Sequence, residues 1–151
     1  MATMKIKNII IDLDGVLTDG KQYIDANGEK IMKAVHARDK LALRRLIAKG
    51  YNVVVLTSDD WPGARIWFEN IGCEFAVAKE KHLQNINWQE SVGVGDDFAD
   101  GQWLEMCAMA LCPFDADQRL LDARFIEVLD SPGGGGVACG LEIFLEAYVN
   151  Q

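Results

Sequence analysis

The chain has 151 residues, half of them hydrophobic and a quarter charged. That is the size and composition of one folded domain, not of a disordered chain. Lys and Arg number 15 against 23 Asp and Glu, a net charge of −8, which opposes nucleic acid or an anionic membrane as a partner and obliges any anionic substrate to be drawn in by local cations. No apolar run nears the roughly 18 residues that span a bilayer. The opening Met1-Ala2-Thr3-Met4-Lys5 lacks signal-peptide character. Cys73, Cys107, Cys112 and Cys139 show no CxxC spacing, so reduced thiols in a cytoplasmic protein are expected.

In chain order, apolar runs alternate with helical periodicity. Ile9-Ile10-Ile11 is a β-branched run, and Val53-Val54-Val55-Leu56, Phe75-Ala76-Val77, Val92-Gly93-Val94, Met109-Ala110-Leu111 and Phe125-Ile126-Glu127-Val128 follow it. Runs that are apolar at successive positions suit strands covered on both faces, as in a parallel sheet. Asp39 to Lys49 is rich in helix formers and closed by Gly50. Ala64, Trp67, Phe68 and Ile71 fall on one helical face between Pro62 and Gly72, and Leu141, Phe144, Leu145 and Tyr148 repeat that spacing. Strand, helix, strand, helix predicts a doubly wound, Rossmann-like α/β sheet with right-handed crossovers, in one domain spanning 1–151. Asn27-Gly28 marks a tight hairpin, so a two-stranded flap is expected over about 21–33, inserted after the first strand. Between Lys81 and Gly95 there is room for about two helical turns or an irregular stretch.

Ligands of such sheets bind at the carboxyl ends of the strands. The polar residues that follow each apolar run are Asp12 and Asp14 after the first, Thr57 and Ser58 after the second, Lys79 and Lys81 after the third, and Asp96, Asp97 and Asp100 after the fourth. Crowded carboxylates resist ionisation unless a cation neutralises them, and an all-oxygen set suits a hard ion such as Mg²⁺. A carboxylate nucleophile, a second carboxyl as acid and base, a metal, a hydroxyl and a lysine are the parts of a phosphoryl-transfer site.

Asp12-Leu13-Asp14-Gly15-Val16-Leu17-Thr18-Asp19-Gly20 resembles the first motif of the haloacid dehalogenase superfamily, in the form of its cap-less branch that includes 3-deoxy-D-manno-octulosonate 8-phosphate phosphatase. His36-Ala37-Arg38-Asp39, Val55-Leu56-Thr57-Ser58 and Val94-Gly95-Asp96-Asp97-Phe98-Ala99-Asp100 agree with it in order. The resemblance implies a Mg²⁺-dependent phosphatase working through an aspartyl-phosphate on a small phosphorylated sugar or sugar acid. In it, Asp12 is the nucleophile and Asp14 the acid and base. Thr57 binds the phosphoryl oxygens, and Lys81, or alternatively Lys79, neutralises the phosphoaspartate. Mg²⁺ is held by Asp12, Asp96 and the backbone carbonyl of Asp14, with Asp97 and Asp100 in support. Ser58, Arg38 and Lys79 are candidate substrate contacts, and a homotetramer using the hairpin is implied.

Two places depart from the family pattern. The second motif often continues into Arg, whereas here it reads Thr57-Ser58-Asp59-Asp60, and the loop Gly133-Gly134-Gly135-Gly136 carries no arginine. The rival reading is a phospho-acceptor or oligomerisation module with a degenerate site. The order of the motifs, with a DxD after the first strand, opposes a receiver-type domain, and the retained Asp12, Asp14 and Asp96 oppose degeneracy.

Overall fold

A computed structural model describes residues 5–77 and 85–148. In chain order the elements are β1 (Asn8–Asp12), β2 (Tyr23–Ile24), β3 (Lys30–Met32), α1 (Ala37–Ala48), β4 (Asn52–Thr57), α2 (Pro62–Ile71), β5 (Glu74–Val77), β6 (Ser91–Val94), α3 (Gly101–Leu104), β7 (Met109–Cys112), α4 (Gln118–Leu121), β8 (Ile126–Val128) and α5 (Val137–Tyr148). The six apolar runs become one parallel sheet in the order β5-β4-β1-β6-β7-β8.

Alternation along the strands decides which residues meet which layer. Ile9, Ile11, Val53 and Val55 pack with buried residues of α1, α2 and α5, among them Leu43, Phe68 and Leu141. Ile10, Val54, Leu56 and Ala76 face the other way, toward Trp88, Trp103 and Cys107. A side chain on either face is therefore removed from water, which is why the runs are apolar at successive positions. No helix among the described residues is long and apolar enough to cross a membrane.

α1 begins at Ala37, two residues before the stretch read from the sequence, because His36 Nδ1 accepts from the Arg38 N–H at 3.1 Å and caps the first turn. Of the segment between Lys81 and Gly95, the described residues include a 3₁₀ turn, Trp88–Glu90, ahead of β6. Asp39 is buried, and its Oδ1 accepts from Ala138 N (3.1 Å) and Cys139 N (3.4 Å), anchoring the start of α5 against α1.

The chain runs outward through β1, β4 and β5, then returns to lay β6 on the other side of β1. Strand order reverses between β1 and β6, and at such a point the connections leave in opposite directions and open a crevice at the carboxyl edge. Register sets what faces it. Asp12 pairs with Leu56, one residue before Thr57, and Ile11 pairs with Val94, two residues before Asp96. A separate antiparallel ribbon, β2 with β3, pairs Tyr23 with Met32 and Ile24 with Lys30. Its base is closed by a bridge between Thr18 and Val35.

Candidate active site

β1 gives way at Asp12 to a single wide turn, Leu13–Leu17, closed by Thr18 N donating to Leu13 O at 3.0 Å. Within it Asp14 is extended and Gly15 takes φ +84°. A Cβ on Gly15 would lie 1.7 Å from Asp96 Oδ2, so the position accepts only glycine. The turn is held from behind by the glycine loop. Gly134 N donates to Val16 O at 2.9 Å, and Gly133 sits so close that a Cβ there would lie 2.0 Å from Gly15 O. Gly133 and Gly134 thus seat the loop of Asp12 and Asp14.

Asp12, Thr57 and Asp96 meet in a cleft of about 560 Å³, which Asp14, Ser58 and Asp100 also line. Asp12 Oδ1 accepts from Leu13 N at 2.9 Å. Oxygens of Asp12, Asp96 and Asp100 all lie within 4.8 Å of one another. Asp100 is fixed from both ends. Its Oδ2 accepts from Asp96 N and Asp97 N, each at 3.1 Å, and its Oδ1 accepts from Trp103 Nε1 at 3.1 Å. Asp97 is exposed and its carboxylate caps the turn, accepting from Ala99 N at 2.9 Å.

Burial pushes Asp12 well above the usual carboxylate range, and the nearby Asp100 and Asp96 push it further. Asp96 is pushed up to about 6, again chiefly by burial. Three clustered carboxylates, two of which (Asp12 and Asp96) disfavour their own ionisation, with no nitrogen or sulfur donor among them, fit a hard divalent cation such as Mg²⁺.

The carboxylate of Asp14 turns away from this trio. Lys33 Nζ donates to both of its oxygens at 2.8 Å, and Thr18 Oγ1 donates to Oδ1 at 3.2 Å. Thr18 is buried and also accepts from Gly15 N and Gly20 N. Thr57 is buried at the end of β4, where its hydroxyl donates to Asp59 O and accepts from Asp59 N, each at 3.1 Å. Ser58 beside it is exposed.

Most of the residues singled out in the sequence therefore meet at one place: Asp12, Asp14, Thr57, Ser58, Asp96, Asp97 and Asp100. Asp100, expected only in support, joins the acidic trio. Lys79 and Lys81 lie outside the described residues. Arg38 does not join the acids within this chain; it lines a separate cleft of about 680 Å³ with His36, Glu127, Asp130 and Tyr148. Two contributors had no signal in the sequence. Lys33 is three residues after Lys30 on a ribbon whose direction over the sheet no spacing reveals. Trp103 reads as an ordinary core aromatic, yet its ring nitrogen orients Asp100.

No protein-family model matches the chain. Over 141 residues it is 35% identical to the 3-deoxy-D-manno-octulosonate 8-phosphate phosphatase KdsC of Haemophilus influenzae, covering 87% of this chain and 77% of that protein. The cobalt-bound structure of the octulosonate 8-phosphate phosphatase from Haemophilus influenzae superposes with a TM-score of 0.84 at 29% identity, over 96% of this chain and 90% of that one. The fold is shared also with the phosphatase of Moraxella catarrhalis, solved with magnesium, phosphate and KDO (TM-score 0.80, 20% identity, 94% and 87% covered). With DxD, strand-end threonine and GDDxxD gathered at the switch point of a sheet that superposes on these enzymes, the chain belongs to the KdsC-type phosphatases of the haloacid dehalogenase superfamily and is a phosphomonoester hydrolase.

Proposed function

We propose that the chain hydrolyses a phosphorylated sugar acid, of the kind named for its relatives, through a phosphoryl group carried on Asp12. The observation that carries this reading is the convergence of Asp12, Asp96 and Thr57 at one strand edge. An Asp12 oxygen attacks phosphorus in line with the ester oxygen. The phosphorus–ester bond breaks, and the proton on Asp14 goes to the departing alkoxide. Asp14 then takes a proton from water as that water cleaves the acyl phosphate, restoring both carboxyls. In this reading the Ser58 hydroxyl donates to the phosphoryl oxygens, the Thr57 hydroxyl does so on turning from Asp59 O, and the lysine of the 79–81 segment supplies positive charge.

Asp12 and Asp96, with the backbone carbonyl of Asp14, would hold Mg²⁺, and Asp100 and Asp97 set the turn that presents Asp96. When bound, Mg²⁺ offsets the negative charge of the carboxylates and the phosphoryl group together. The non-catalytic alternative gains nothing from the geometry, since each acid of the expected site is in place.

The chain is one hydrolase domain with the ribbon as a flap. Ile24, Ile31 and Met32 of the ribbon are each more than half exposed, and an apolar patch of this kind is normally covered by another protein surface. We take the cover to be further copies of this chain, in a homotetramer built on the ribbon. Light scattering that finds four copies supports this, and a monomer excludes it. Four free cysteines fit a cytoplasmic location.

The test of the reaction is phosphate release from a panel of phosphorylated sugars and sugar acids. Release with MgCl₂, suppressed by EDTA and highest on a sugar-acid phosphate, is the expected result. No release from any ester by folded protein with Mg²⁺ would overturn it.

A further inference from the structure

Asp59 stands where the family pattern often carries a basic residue, two positions after Thr57 at the end of β4. Its Oδ2 pairs with Lys30 Nζ at 2.5 Å and lies 3.5 Å from Lys33 Nζ. Lys30 opens β3 and Lys33 follows that strand, so both cations come from the ribbon. The same Lys33 nitrogen holds both oxygens of Asp14. Carboxylates from two neighbouring strand ends, Asp14 and Asp59, thus grip one short ribbon.

The ribbon forms its own two-stranded sheet, apart from the six-stranded one. A lone two-stranded ribbon is marginal in water, so its placement against the strand ends depends on such ties. Asp59 is held below the usual carboxylate range first by Lys30, in keeping with a charged, engaged pair. Lys33 touches both Asp14 oxygens, so a leaving group that takes a proton from Asp14 meets that cation beside it. Asp59 is the carboxylate within reach to retain that cation at the rim.

We propose that Asp59 is a positioning residue: through Lys30 and Lys33 it fixes the ribbon against the strand ends beside Asp14 and so sets how the leaving group of the substrate is seated there. The proposal rests on the phosphatase reading for its kinetic consequence but not for its structural one. It also assigns a purpose to the acidic residue that replaces the basic one. A cation from the ribbon and an anion from β4 make the tie, where a basic residue at 59 would repel both lysines.

The expected size follows from exposure. The Lys30–Asp59 side chains are each about a third exposed, at 37% and 34%, and exposed pairs couple weakly. Lys33 is only 6% exposed, so its share is less screened. Together these point to an effect of about five- to tenfold.

The experiment compares wild type, Asp59→Asn, Asp59→Glu, Lys30→Asp and the exchanged pair Lys30→Asp with Asp59→Lys. Each is assayed on octulosonate 8-phosphate, a sugar-acid ester with a long, polar leaving group, and on p-nitrophenyl phosphate. Asp59→Asn is expected to raise KM for the sugar-acid ester about five- to tenfold with kcat within about twofold, and to leave both constants for the nitrophenyl ester within about twofold. Asp59→Glu should restore most of the loss, and the exchanged pair should outperform Lys30→Asp alone. Hydrogen exchange of the ribbon amides, 23–32, should quicken in Asp59→Asn. Equal losses on both esters, or unchanged KM together with unchanged exchange, would overturn the proposal. If wild type releases phosphate from neither ester, the phosphatase reading fails by itself. Exchange then decides: faster ribbon exchange in Asp59→Asn upholds the tie, and unchanged exchange removes it.

Discussion

Asp12→Asn is expected to lower kcat for phosphate release by at least about 10⁴-fold while leaving the metal-free protein at least as stable as wild type. Loss of a nucleophile from a working catalytic set typically costs that much or more. The stability half follows from burial. Asp12 is pushed well above its ordinary value by burial, then by Asp100 and Asp96, and Asp96 is pushed up to about 6. Between the ordinary carboxylate value and these raised ones, the folded chain binds more protons than the unfolded chain. Stability contributed by the protonated forms is present at low pH and is lost as pH rises through that window.

At neutral pH without metal, the ionised cluster is therefore a destabilising load, and an amide at position 12 lightens it. The amide oxygen can still accept from Leu13 N, as Asp12 Oδ1 does. A bound cation offsets the same load in wild type. Saturation at about 100 times Kd corresponds to roughly 2.7 kcal/mol, or a Tm rise of about 5–10 °C for a domain of this size. The increment should grow between pH 5 and 7 as the ligands lose their protons. Thermal melts with MgCl₂ and with EDTA, paired with phosphate release, read both halves. A variant that turns over at the wild-type rate removes Asp12 from the mechanism. A wild-type Tm indifferent to Mg²⁺ at pH 7.5 removes the metal from the acidic trio.

Gly15→Ala is expected to cost at least about 100-fold in kcat and a few degrees of Tm. Two separate penalties fall on one methyl group. Gly15 has φ +84°, and a non-glycine residue in that region costs about 1–3 kcal/mol. The new Cβ would also fall 1.7 Å from Asp96 Oδ2, so Asp96 or the turn bearing Asp12 and Asp14 must shift. A displacement of about 1 Å in a catalytic group is enough for a 100-fold loss. Because the clash falls on a proposed metal ligand, the Mg²⁺-dependent Tm increment should shrink together with kcat. Wild-type kcat in this variant would mean that Asp96 is free to move without consequence.

The sequence by itself determined the sheet and the identity of its chemistry. The runs of β1, β4, β5, β6 and β7 become parallel strands because burial on both faces leaves no other pattern open to them, and the sixth, β8, joins as an edge strand with no buried residue. A strand-end rule then marks Asp12, Thr57 and Asp96 from local information alone. Helix ends were nearly as readable; the start of α1 differed by two residues because a His36 cap, not apolar periodicity, set it. Contacts between segments that no period relates were decided only by the tertiary structure. The ribbon could be read from Asn27-Gly28, but the path by which it carries Lys33 onto Asp14 depends on how it folds back over the rim. Trp103 and Asp100 are three residues apart, yet their bond exists only because the turn after β6 brings ring nitrogen and carboxylate to the same side. Arg38 shares the family motif and still lines another cleft, beside His36 and Asp130. Local pattern specifies strands and the residues at their ends, because backbone periodicity and burial act over a few residues. The reach of a long side chain across loops is specified by the packed whole.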